Sequence, residues 1–196
     1  MIGRLSGTLL EKNPPSMLID VNGVGYEVEV PMSTYYELPA VGKAVQLLTH
    51  FVVREDAQLL FGFATPTERA TFRALLKVNG VGAKVALSVL SALSTDEFFA
   101  YVASKDTAAI TKVPGIGKKT AERLIVELQD KVDAFTVALP ASGAAATHNS
   151  AKAQAEEALL ALGYKAAEAK RLIEKNTTDD QSVEEMIRAA LRSIRL

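Results

Sequence analysis

A ten-residue segment occurs twice in this chain without a gap. Lys77-Val78-Asn79-Gly80-Val81-Gly82-Ala83-Lys84-Val85-Ala86 aligns with Lys112-Val113-Pro114-Gly115-Ile116-Gly117-Lys118-Lys119-Thr120-Ala121 at an offset of 35 residues. Each copy has a helical segment before it and another after it, so each reads as two short helices joined at a glycine–hydrophobic–glycine turn. Paired glycines allow the turn to be tight and remove the side chains that would hold a ligand away from the backbone. The next helix starts at once, and its first amides have no acceptor inside the helix. The amides near Gly82-Ala83-Lys84 and Gly117-Lys118-Lys119 are therefore expected to face outward at the positive end of a helix dipole, which makes a phosphate seat. Lys84, Lys118 and Lys119 add charge beside it, while Val81 and Ile116 plug each turn into the core. This is a helix-hairpin-helix pattern, which holds a DNA backbone without reading base identity. The candidate contacts are Asn79, Gly80, Val81, Gly82, Ala83 and Lys84 in the first copy. In the second they are Pro114, Gly115, Ile116, Gly117, Lys118, Lys119 and Thr120.

Other glycine-rich phosphate sites fit less well. A Walker loop needs Gly at position 112 and Ser or Thr at 119, where Lys112 and Lys119 stand. A dinucleotide fingerprint needs Gly at position 85, where there is Val85, and a strand ahead of it. Two copies are too few for a helical solenoid. The bland alternative is that each turn only packs its two helices. Charge favours the nucleic-acid reading. The whole chain carries a net charge of −1, but residues 1–63 hold −3, residues 64–132 hold +3 and residues 133–196 hold −1. The basic excess is modest and coincides with the repeat.

Before the repeat, residues 1–63 read as β structure. Val24 to Val30 alternates with period two, and Asn22-Gly23 ahead of it is a strong hairpin signal, with Met17 to Val21 as the preceding strand. Gly3 to Leu10, Val45 to Val53 and Gln58 to Phe63 bring the total to about five short strands, which suggests a small OB-type barrel. Near Thr65 the period changes to that of a helix. Thr65-Pro66-Thr67-Glu68 and Ser94-Thr95-Asp96-Glu97 are capping boxes, and four or five short helices are expected over 65–131. Ala134 to Ala151 carries no charge and reads as a flexible tether, with a reach of roughly 20–25 Å. The rest predicts three short helices. One ends at Gly163, one spans Ala166 to Glu174, and one opens at the capping box Ser182-Val183-Glu184-Glu185 and runs to about Ile194.

Site chemistry is restricted by composition. The chain has no Cys, and its two His residues, His50 and His148, are far apart, so neither a metal centre nor another cofactor is expected. Met1 to Leu5 lacks the pattern of a signal peptide, and no apolar window of membrane-spanning length is found. A soluble cytoplasmic protein is the expectation. Asn176-Thr177-Thr178 matches a glycosylation sequon by chance.

The chain resembles the RuvA family, the Holliday-junction-recognition subunits of the bacterial RuvAB branch-migration complex. The resemblance lies in Met1 to Leu5, Gly23 to Val28, His50 to Phe63, Asn79 to Gly82, Pro114 to Glu127 and Leu162-Gly163-Tyr164. It implies a multi-domain α+β protein: an OB-fold barrel over 1–63, a tandem helix-hairpin-helix domain over 64–133, a linker over 134–151 and a UBA-like three-helix bundle over 152–196. It implies binding of four-way junction DNA in recombination and repair, as a homotetramer or octamer. The expected partners are RuvB, the hexameric ATPase that drives the DNA arms, and the RuvC resolvase. Glu55 and Asp56 are implied to be an acidic pin at the junction centre; a carboxylate about 8 Å from a phosphate costs roughly 0.5–2 kcal/mol. Whether Arg54 holds that turn or touches DNA stays open. Leu159, Leu162 and Tyr164 by themselves read as core more often than interface; the resemblance implies that they, with Leu191, lie near the surface that binds the motor. No catalytic site is expected. The competing readings are a helix-hairpin-helix glycosylase or nuclease, with Asp130 as the nearest catalytic candidate, and an adaptor that binds no DNA.

Overall fold

The computed structural model describes residues 1–129, 132, 151–176 and 181–193. The chain divides into two compact units, Met1–Leu139 and Pro140–Leu196. Among the described residues no single helix is long and apolar enough to cross a membrane.

The first unit opens with five strands: β1 (Arg4–Asn13), β2 (Ser16–Val21), β3 (Val24–Glu29), β4 (Ala44–Val53) and β5 (Gln58–Phe63). They close into a barrel in the order β1-β2-β3-β5-β4, with β3 and β5 parallel and the other neighbours antiparallel. The β2–β3 hairpin turns at Asn22 and Gly23, whose φ values of 54° and 87° are what a type I′ turn requires. Asp20 accepts a hydrogen bond from the Gly23 amide at 2.9 Å and holds the turn. The first strand runs three residues beyond the expected Leu10. Leu5 and Leu9 face the core and Leu10 faces out, as alternation requires, and a register shift lies between Leu9 and Glu11.

One element had no signature in the sequence. Helix α1 (Met32–Glu37) lies between β3 and β4 and starts at Pro31 without a side-chain cap. Tertiary bonds hold it instead. The Met32 amide donates to Ser91 Oγ at 3.0 Å, and Thr34 Oγ1 donates to Glu68 Oε2 at 2.9 Å.

Five helices follow: α2 (Pro66–Leu75), α3 (Ala83–Ala92), α4 (Thr95–Ala103), α5 (Thr107–Ile110) and α6 (Lys118–Leu128). Both expected capping boxes are formed, at Thr65–Glu68 and at Ser94–Glu97. The helix before the second hairpin is a single turn, capped by Asp106, which accepts from the Ala109 amide at 2.9 Å. Barrel and helices share a core. Strand β5 is buried on both faces because Leu60 faces the barrel interior while Phe61 and Phe63 pack on Phe72 of α2, with ring centroids 5.0 and 4.9 Å apart. Glu68 is a polar tie across the same boundary. Only 8% exposed, it accepts from Ser33 Oγ, Thr34 Oγ1 and the amides of Ala64 and Thr65.

The second unit contains α7 (Ala151–Ala161), α8 (Ala166–Asn176) and α9 (Val183–Arg192). Their small core is Ala155, Leu159, Ala169, Ile173, Met186 and Ala190. Gly163, at φ 97°, ends the α7 segment, and the Tyr164 amide returns to the Leu159 carbonyl at 3.1 Å. The capping box at Ser182–Glu185 is formed, and Ala151, assigned to the tether, is already helical. The rest of the tether, His148, Asp130, Thr177, Thr178 and Ile194 lie outside the described residues.

Candidate nucleic-acid interface

The two copies of the repeat fold alike. Gly80 has φ 87° and Gly115 φ 88°, the left-handed region that a turn this tight demands. The Val81 amide donates to the Val78 carbonyl at 3.1 Å, and the Ile116 amide donates to Val113 at the same distance. Val81 and Ile116 are each 6% exposed, so both turns are plugged into the core as their sequence requires.

The second glycine of each turn behaves differently. Gly82 and Gly117 have ordinary φ values, −90° and −87°, and a methyl group added at either would meet nothing within 4 Å. Neither the backbone nor internal packing needs glycine there. What glycine leaves is open space in front of a helix start. Neither α3 nor α6 has a side-chain cap, and the first helical bonds run from Ala86 to Gly82 and from Ala121 to Gly117, each 3.0 Å. The N–H groups of Ala83, Lys84 and Val85, and of Lys118, Lys119 and Thr120, are thus left without an acceptor inside their helices. Two unfilled amide clusters at positive helix ends, each beside exposed lysine, can take an anion.

The turns lie side by side. Arg123 of α6 donates from Nη1 to the Asn79 carbonyl in the first hairpin at 2.9 Å, across 44 residues. A methyl group at Gly115 would in turn sit 3.7 Å from Val85 Cγ2 of α3. Each hairpin touches the helix that follows the other. Lys84 and Pro114, one from each copy, also edge a mostly apolar cleft of about 350 Å³ that the barrel side closes with Pro15, Glu29 and Val30, and α1 with Met32. Asn79, Lys84, Pro114, Lys118 and Lys119 are exposed, Thr120 is half-buried, and Ala83 is buried. Arg123 was not among the expected residues, because it lies beyond the repeated segment and its partner is distant in sequence.

The other expected site residues have different surroundings. Glu55 and Asp56 occupy a two-residue turn closed by the Arg54 amide, which donates to the Ala57 carbonyl at 2.8 Å. Both carboxylates are exposed, and among the described residues neither has a hydrogen bond or ion pair. His50 packs edge-on to Phe72, and its Nδ1 accepts from Arg73 Nε at 3.2 Å. Burial lowers its pKa from the ordinary imidazole value, with the charges of Arg73 and then Arg69 adding to the effect. In the second unit Leu162 is 60% exposed, and Tyr164 and Leu191 are half-buried. Leu159 is fully buried and belongs to the centre of the three-helix core.

Fold and site together define a class: an OB-type barrel carrying a tandem helix-hairpin-helix domain and a separate three-helix bundle. Family models for the RuvA N terminal domain, the SAM-like helix-hairpin-helix tandem and the RuvA C-terminal domain match residues 1–62, 72–130 and 150–195. The chain belongs to the RuvA family. It is 51% identical over 203 residues to the Holliday junction branch migration complex subunit RuvA of Vibrio parahaemolyticus, covering 99% of this chain and 100% of that protein. The proteins of the same name from Pseudomonas paraeruginosa (54% over 200 residues) and Photobacterium profundum (50% over 208 residues) are covered to the same extent.

Proposed function

We propose that this chain binds four-way junction DNA as the non-motor subunit of a branch-migration complex, and that it grips the duplex arms through their phosphates. The observation that carries this reading is the pair of adjacent glycine turns. Each leaves the uncapped start of a helix open to a ligand, at a glycine that the fold itself does not need. A phosphate brought to either turn would accept from backbone amides and pair with Lys84, or with Lys118 and Lys119. Such contacts ignore base identity, as a subunit that stays bound while sequence moves past it must.

Four copies about one axis would bring the exposed Glu55 and Asp56 turns together at the crossover. Their charge would repel backbones from the centre and help separate strands there. The chain does no chemistry of its own in this scheme. Movement comes from RuvB, the partner ATPase, engaged by the C-terminal bundle through Leu162, Tyr164 and Leu191, and RuvC can act on the held junction. The setting is the cytoplasm.

The test is a mobility-shift titration of a four-way junction and a linear duplex across a salt series. The junction should bind more tightly, with log K falling by about 0.9 per phosphate contact for each unit of log salt. Lys118→Glu combined with Lys119→Glu should weaken binding and flatten that slope by about two. Equal affinity for the two DNAs, or an unchanged slope in the variant, would count decisively against the reading.

A further inference from the structure

The two hairpins are not equally charged. The second carries Lys118 and Lys119 at its helix start, whereas the first has Ala83 and Lys84 at the matching positions. Ala83 is 7% exposed and packs in the core. Arg123 stands beside the poorer hairpin although it belongs to the other motif. Its Nη1 donates to the Asn79 carbonyl at 2.9 Å, and a methyl group at Gly80 would lie 3.7 Å from the same nitrogen. The acceptor belongs to the peptide joining Asn79 to Gly80, so this bond orients the plane that enters the left-handed turn. It is the one side-chain hydrogen bond between the two motifs among the described residues. The other side of the contact, Val85 against Gly115, is apolar and nondirectional.

We propose that Arg123 is a positioning residue for the first hairpin, supplied by the second motif. This rests on the nucleic-acid reading above and adds to it a specific division of labour. An exposed arginine held by one carbonyl contributes little to global stability. Its effect is on geometry: when the Asn79–Gly80 peptide is free to rotate, the amides behind Gly82 no longer face the same strand as those behind Gly117.

The experiment is a double-mutant cycle on the full chain, with a four-way junction as the probe and affinities read across a salt series. Arg123→Gln is expected to weaken binding about tenfold and to make the salt slope shallower by about one, the loss of one phosphate contact. The protein should melt within a few degrees of the parent. Combined with Lys84→Gln, the double variant should be hardly weaker than the worse single one, because both act on the first hairpin. Combined with Lys119→Gln, the losses should multiply. Coupling to Lys119 instead of Lys84 overturns the proposal, as does an unchanged affinity in Arg123→Gln while the lysine variants weaken binding. If no lysine variant weakens binding either, the nucleic-acid reading itself has failed and this one falls with it.

Discussion

At the scale of single residues, the four glycines of the hairpins do two different jobs. Gly80 and Gly115 answer to the backbone: their positive φ excludes other residues at a cost of about 1–2 kcal/mol. Gly82 and Gly117 answer to whatever approaches from outside, since the protein leaves their surroundings empty. Alanine should separate the two roles. Gly82→Ala and Gly117→Ala should hold stability to within about 1 kcal/mol, because the weaker cap and the stiffer unfolded chain oppose each other. Both should weaken junction binding. Gly80→Ala and Gly115→Ala should lose stability as well as binding. Thermal melts paired with mobility shifts would check this, and full binding by the Gly82 and Gly117 variants would remove close backbone approach from the mechanism.

At the scale of elements, the boundary between barrel and helices is set by α2. Glu68 begins as the third helical residue of a local capping box and ends as a buried acceptor for two hydroxyls and two amides. Glu68→Ala would strand those donors, costing about 2–4 kcal/mol and lowering the melting temperature by roughly ten degrees. Glu68→Gln, which keeps an acceptor, should lose about half as much; equal losses would show that volume rather than hydrogen bonding matters there. His50 lies on the same boundary and must be neutral at Nδ1 to accept from Arg73. Its pKa is lowered in the folded state, so the unfolded chain binds a proton more readily. The stability this site provides is complete above the unfolded value of about 6.5 and is lost as pH falls from there through the lower folded value. Denaturant melts at pH 8 and 5.5 should show a larger loss for the parent than for His50→Gln, and parallel losses would clear His50 of the effect.

For the whole molecule, the role proposed for the acidic turn belongs to an assembly. In one copy Glu55 and Asp56 are a solvated loop with no partner among the described residues. Brought together at a symmetry axis they would limit junction affinity, at roughly 0.5–2 kcal/mol for each close carboxylate–phosphate pair. Glu55→Gln with Asp56→Gln should therefore tighten junction binding at low salt, by up to about tenfold, and leave linear-duplex binding unchanged. A matching gain on linear duplex would mean the turn acts as general surface charge and not as a pin.

What could be read from residue order follows rules that act over a few positions. The glycine spacing marked both hairpins, Asn22-Gly23 marked the β2–β3 turn, and the three Ser/Thr-x-x-Glu boxes marked helix starts, because each is a contact between near neighbours. Packing between distant segments obeys no such rule. Helix α1, the burial of Leu159 beside the exposure of Leu162, the double-sided burial of β5 and the bond from Arg123 to Asn79 all depend on which parts of the chain meet. Those meetings are decided by the shape of a shared core. A repeat can announce two glycine turns, but only the fold could place them side by side and put an arginine of one motif against the turn of the other.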